Sequence, residues 1–319
     1  MDDPSSADKT HLTLENVGLA FVFIVFDAAI SHLLNLGVGT SLVTAATRCI
    51  IQLSLMALVL AKIFETDNVL AVAGLAGLLN LMGTLETVIN KAKMRFNYMF
   101  PCVLLANVGS TIPVSIIGTR FAMAVQPFWV ADQYIPVVGM LCGATISGMV
   151  VAVNYVLKEL IENRDKVEVY LAFGASRFEA CKPIARDALR LALTPNVNQM
   201  SVLGIISIPG MMTGAILGGS SVQQAARLQM VIMFMISSAT ALSSMAITVF
   251  TLSVVVDREH RIRQERVDRR PHFVHRMKGR VVDGVKVRLE VVARGVMRAF
   301  GRKKQVVEGT ERERERLLG

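Results

Sequence analysis

The sequence predicts an all-α, polytopic integral membrane protein with about seven transmembrane helices, and three observations predict it. Hydrophobic residues make up 53% of the 319 positions with a mean hydropathy of +0.50, too apolar for one soluble core. Apolar windows of roughly 20 residues, enough to cross a hydrocarbon core of about 30 Å, recur at 15–34, 42–63, 69–89, 100–119, 134–157, 190–217 and 229–256. Charge is segregated as well. Residues 1–256 carry 15 basic and 15 acidic side chains, whereas 257–319 carry 19 and 10, so the whole excess of +9 follows the last span.

The connections orient the spans. Lys91, Lys93 and Arg95 follow the third span, seven basic residues lie in 158–190, and the basic tail follows the seventh. The excess of Lys and Arg marks that side as cytoplasmic. The expected organisation is a short extracytoplasmic segment (1–14), a transmembrane domain (15–256) with a cytoplasmic coupling loop at 158–189, and a basic cytoplasmic tail (257–319). Within the tail, 281–300 reads either as an amphipathic helix lying on the membrane or as disordered. The N-terminal residues lack the basic-then-apolar pattern of a cleaved signal, so insertion is expected to use the first span.

Composition also narrows function. The basic excess sits behind a membrane span, which suits an anionic lipid surface and not nucleic acid. Cys49, Cys102, Cys142 and Cys181 form no C-x-x-C or Cys/His spacing, and no zinc site or disulfide frame is expected. No catalytic constellation is found, and no G-x-x-x-x-G-K-[ST] loop occurs, so the chain reads as a transport subunit and not an enzyme. Any ATP and Mg would be bound by another chain.

Polar residues inside spans are costly and need a partner, a cavity or an interface. Arg48 and Gln52 share one face of the second span. They are candidates for contact with an anionic or polar solute, the alternative being an ion pair of Arg48 with Asp27. Glu86 and Asn90 share a face at the end of the third span, where snorkelling explains them equally. Gly139, Gly143 and Ser147 stack on one face of the fifth and predict close helix packing, within the chain or against a second copy. Thr194-Pro-Asn196 is expected to interrupt the entry to the sixth span and Ser207-Ile-Pro-Gly-Met-Met-Thr-Gly214 its middle.

Four segments then carry a resemblance: Ile135-Pro-Val-Val-Gly-Met140, Leu171-Ala-Phe-Gly-Ala-Ser176, Arg186-Asp-Ala-Leu-Arg190 and Gly204-Ile-Ile-Ser-Ile-Pro-Gly-Met-Met-Thr-Gly214. Arg48-Cys-Ile-Ile-Gln-Leu53 and Asn90-Lys-Ala-Lys-Met-Arg95 add to it. From about residue 15 to 256 the chain resembles the FetB-type iron-export permeases of bacteria and the plant aluminium-sensitivity permeases. The resemblance implies an ABC-type permease, a homodimer served by a separate ATP-binding subunit, moving iron, another metal or a metal-tolerance solute. The alternative from another class is a secondary transporter or channel without an ATPase.

The loop at 158–189 also resembles the E-A-A-x3-G-x9-I docking loop of ABC importer permeases. Glu168, Gly174 and Ile184 keep its spacing, while Val169 and Tyr170 replace the alanines. This implies ATPase docking through Glu168, Gly174, Ala175, Ser176, Phe178 and Glu179. The candidate translocation path is Arg48, Gln52, Asn196, Asn198, Gln199, Pro209, Gly210, Met211, Met212 and Gly214. Whether any of them binds metal stays open at this point: hard Fe(III) or Al(III) prefers carboxylates, while the Met211 and Met212 thioethers suit softer ions. The plasma membrane is the default location, an internal membrane the alternative.

Overall fold

The computed structural model describes residues 13–66, 68–256 and 267–268. The predicted N-terminal segment and the 281–300 helix fall outside them. The chain divides into two compact units near Lys62 and Ile63.

The first unit holds α1 (Leu14–Leu33) and most of α2 (Gly39–Thr66). Their turn is tight: a Cβ at Gly39 would lie 2.8 Å from the Ala28 carbonyl oxygen. The Ser31 hydroxyl accepts the Val38 N–H.

The second unit contains α3 (Val69–Leu85), α4 (Met99–Ile117), α5 (Ala131–Glu162), α6 (Arg164–Ala172), α7 (Arg177–Val202), α8 (Gly210–Leu217) and α9 (Val222–Val255). Both α3 and α4 end in π-helical turns, Glu86–Lys91 and Gly118–Ala122. A two-stranded antiparallel ladder joins β1 (Arg95–Phe96) to β2 (Val267–Asp268). Among the described residues, six helices are long and apolar enough to cross a bilayer: α1, α2, α3 and α4 with their extensions, α5 and α9. They agree with six of the seven predicted spans. Their outward faces carry residues such as Phe234 and Leu105, each 65% exposed, as lipid-facing positions do.

The sixth predicted span is built in two pieces: of its two expected interruptions the one at 194–196 is absent, and the one expected from Ser207 begins earlier, at 203. α7 starts at Arg177 and runs unbroken through Thr194-Pro-Asn196. There the Thr194 hydroxyl donates to the Arg190 carbonyl at 2.6 Å. The interruption is at 203–209, between α7 and α8. α7 leaves the end of the bundle where α6 lies, Met200 meets Ser237 near the middle of α9, and α8 hands over to the start of α9. Together α7, the break and α8 cover the length that α9 covers in one piece.

Close packing of α5 on α9 centres on Gly148. A Cβ there would lie 2.5 Å from Thr240 Cγ2 and 2.8 Å from Ser244 Oγ. The predicted stack of Gly139, Gly143 and Ser147 does not make this contact. Gly143 and Ser147 are exposed, and a Cβ at Gly143 would meet nothing within 4 Å. Gly148 is one position further round the helix and points at α9. Within the second unit, no helix packs closely on that stack.

A buried polar network, missed in the sequence, locks α3, α4 and α5. Thr111 Oγ1 donates to Asn80 Oδ1 at 2.6 Å, Thr145 Oγ1 donates to Asn107 Oδ1 at 2.8 Å, and Asn107 Nδ2 reaches the Asn80 carbonyl at 3.3 Å. All four residues are fully buried. Satisfied partners make such groups tolerable at this depth.

Gly148→Ala is expected to destabilise the protein by about 1–3 kcal/mol through overpacking, while Gly143→Ala stays within about 0.5 kcal/mol. Thermal unfolding of the purified protein in detergent checks the difference; equal shifts would refute this assignment of the α5 contact.

Candidate docking turn and membrane path

The segment between α5 and α7 folds as a helix, a tight turn and a second helix. α6 ends in a turn of defined geometry: the Gly174 N–H donates to Leu171 O at 3.0 Å and the Ala175 N–H to Tyr170 O at 3.1 Å. This pattern needs a residue in the left-handed region after the helix end. Gly174 supplies it with φ +88°, although a Cβ would have open space around it. The requirement for glycine is conformational.

Two residues on, Ser176 caps α7. Glu179 N–H donates to the Ser176 hydroxyl, and the Ser176 N–H and hydroxyl donate to Glu179 Oε2 at 2.9 and 2.7 Å. This reciprocal box fixes the start of the helix. Ser176 and Glu179 are therefore engaged in shaping the turn, not simply offered to a partner. The bonds from Ser176 hold the Glu179 carboxyl below its ordinary range.

What the turn presents outward is apolar. Phe173 is 88% exposed. Val169, Tyr170 and Phe178 are exposed beside it in sequence, and the Arg177 guanidinium lies 4.9 Å from the Phe178 ring centroid. Sequence reading singled out Phe178 but passed over Phe173 and Tyr170. For Tyr170 the signal was available, since it stands where the importer loop carries alanine; Phe173 falls at a position the motif leaves open. Glu168 pairs with Arg164 one turn earlier on α6, and Ala175 packs inward against the core.

That core gathers one end of the bundle. Phe96 of β1, Met99 of α4, Leu157 and Leu160 of α5, Val167 of α6, Ala180 and Cys181 of α7, and Val255 and Val256 belong to a single cluster. The three basic segments of the sequence thus emerge at the same end of this unit. Burial pushes the Cys181 thiol up to about 11, so it is an inert packing residue.

The candidate path residues fall into two groups, one in each unit. On α2, Arg48 and Gln52 share a face as predicted and line a hollow of about 360 Å³ with Val43, Thr44, Thr47 and Ile51. In the second unit, Asn196, Asn198 and Gln199 occupy the last turns of α7, while Pro209, Gly210, Met211, Met212 and Gly214 form the cap and first turns of α8. Asn198 and Gln199 are exposed, and Met211 and Met212 half-buried. Asn196 Nδ2 is buried and has no hydrogen-bond partner among the described residues. Glu86 and Asn90, the other paired polar residues, join through Nδ2 and Oε2 at 2.6 Å within the π-helical turn after α3.

Between these last two groups the break folds on itself. The Gly204 N–H donates to Ser207 O at 3.0 Å, with Gly204 at φ +82°, and the amides of Ile206 and Ser207 both donate to Val202 O. Its side chains point away: Ile205, Ile206 and Ile208 are 87%, 80% and 69% exposed. Among the described residues no group of three His, Cys, Asp or Glu side chains could hold a metal ion.

The profile of the Uncharacterised protein family UPF0014 matches residues 14–255. The chain belongs to the UPF0014 family. Among its relatives, a UPF0014 membrane protein of Synechocystis is 33% identical over 218 residues, covering 67% of this chain and 82% of the relative. The probable iron export permease protein FetB of Escherichia coli is 26% identical over 252 residues, 79% of this chain and 95% of FetB. ALUMINUM SENSITIVE 3 of Arabidopsis thaliana is 29% identical over 232 residues, 72% and 82% of the two chains. No solved structure matches. The expected family and the multi-pass membrane character both stand. FetB is named for transport, not for catalysis.

Because Glu179 closes the capping box as a carboxylate, the box persists while pH falls through the usual carboxylate range. It is lost only below that range, as pH passes the depressed value of Glu179 in the folded chain. Hydrogen exchange of the first amides of α7 should show this, with Glu179→Gln removing the acid-dependent step. Ser176→Ala should cost about 1 kcal/mol of helix-end stability.

Proposed function

We propose that this protein is the permease subunit of an ABC-type exporter, working as a homodimer with two copies of a separate ATP-binding subunit. The observation that carries the reading is the α6–α7 turn. Its backbone is held by Gly174 and the Ser176–Glu179 box while Phe173, Tyr170 and Phe178 stay exposed. An exposed aromatic group on a rigid turn, beside water and at the basic end of the bundle, suits insertion into a groove of a partner. Flexible loops cannot transmit a rigid-body motion, and a doubly capped turn can.

The second element is the divided α7–α8 span. Non-helical backbone is tolerated at membrane depth where protein covers it or where it lines a wet cavity. The break at 203–209, the unpartnered Asn196 amide and the uncapped start of α8 make this the candidate transport route. ATP-driven closure of the partner subunits would act on α7 from its capped end and move the break at its other end. The name of the E. coli relative supports iron as the cargo, and that of the Arabidopsis relative a solute bearing on aluminium sensitivity. The residues at the break favour neither over the other. A plasma-membrane location is part of this proposal.

Co-purification with candidate stand-alone ABC ATPases tests the reading. Phe173→Asp together with Tyr170→Asp is expected to lower ATPase binding at least tenfold while thermal stability changes little, because both side chains are exposed. Gly174→Asp should weaken binding as well, through the turn. Transport persisting without any ATPase would overturn the proposal in favour of a secondary transporter.

A further inference from the structure

We propose that the C-terminal tail is clipped to the bundle as a β-strand, and that this clip braces the helix that presents the docking turn. The inference takes the α6–α7 turn as the docking surface from the reading above. The clip itself stands on backbone pairing alone.

Val267 and Asp268 pair antiparallel with Phe96 and Arg95 in the connection between α3 and α4. In the sequence, residues 257–266 separate this strand from Val256. The strand that receives it is held on three sides. Phe96 is 5% exposed and packs in the same cluster as Val167 of α6 and Ala180 and Cys181 of α7. The Lys93 N–H donates to Asn154 Oδ1 of α5 at 3.1 Å. Arg95 Nη2 donates to the Ile89 carbonyl at 3.1 Å, in the π-helical turn that closes α3.

A two-residue strand with an open edge gains its remaining hydrogen bonds only from water or from another strand. Here the tail provides that strand, and what it grips is not a loose loop. β1 is a short piece whose buried Phe96 belongs to the same cluster as Val167 of α6 and Val255 of α9. With β2 in place, the α3–α4 connection cannot lift without breaking the ladder, and Phe96 stays in the cluster that α6 rests on through Val167. Without β2, one of the walls around α6 loses its restraint. The tail also carries the whole basic excess of the chain, so a partner that draws it away, an anionic leaflet among them, acts on the docking platform through this ladder.

Two measurements test the proposal, and neither involves an ATPase, so its failure is separable from failure of the docking reading. In the first, Cys49, Cys102, Cys142 and Cys181 are replaced and Arg95→Cys is combined with Asp268→Cys. Facing residues of an antiparallel pair have Cα atoms about 4.5–5.5 Å apart, within disulfide range. Mild oxidation in membranes should link most of this protein, and little of a control joining Arg95→Cys with Val306→Cys. No preference for the 95/268 pair overturns the clip.

In the second, the native cysteines are kept and both strand residues become proline, Val267→Pro with Asp268→Pro, which removes the N–H groups the ladder needs. Hydrogen exchange of the backbone amides at 164–172 should rise several-fold, with 238–248 of α9 unchanged and Val267→Ala with Asp268→Ala behaving as wild type. Unchanged exchange in α6 overturns the bracing role even where the cross-link forms.

Discussion

Every backbone polar group at membrane depth has to find its partner inside the chain, because hydrocarbon offers none. That constraint makes the described spans long helices, and it gives meaning to the one place where a span departs from helix. Between Val202 and Gly210 the chain recovers part of what it loses by folding the amides of Gly204, Ile206 and Ser207 onto nearby carbonyls. What remains has to be covered by protein or water. The isoleucines that project from the break are compatible with a protein neighbour, and the amide-bearing turns of α7 below it with a solute.

The same constraint governs the polar core. Asn80, Asn107, Thr111 and Thr145 form a closed network with each side chain engaged. They hold α3, α4 and α5 together and leave nothing for a transported solute. The α7 segment differs in kind, since Asn196 Nδ2 is buried without a partner. Satisfied polar groups act as mortar between helices, and an unsatisfied one beside an irregular backbone marks a place where something else can bind.

At the other end of the bundle rigidity is built from local chemistry. Gly174 provides the one backbone conformation that closes α6, and Ser176 with Glu179 starts α7 three residues later. Because α7 continues from this turn to the break in a single helix, despite Pro183 and Pro195, the two candidate functional elements are the two ends of one rod. A short helix under the turn rests on the cluster that also receives Phe96 and the end of α9. The α6–α7 turn, the break at 203–209 and the β1–β2 ladder therefore all belong to the second unit.

Much of this was legible in order along the chain. Apolar windows near 20 residues give spans, because the bilayer sets their length. Gly174 and the S-x-x-E pair give the turn, because both act through bonds to near neighbours. The Pro195 prediction failed for a related reason: a proline is a local signal, but packing against α5 and α9 holds the helix on either side of it. The stack at Gly139, Gly143 and Ser147 was a correct pattern on the wrong face, since small residues say that a close approach is possible and not which neighbour makes it. By itself the sequence determined the membrane class, the order of most spans and the turn at Gly174, all of which depend on composition or short-range bonds. Only the tertiary structure decided that Gly148 is the α5–α9 contact, that four distant polar residues form one network, and that Val267 and Asp268 return to Arg95 and Phe96, because each joins positions far apart in the chain.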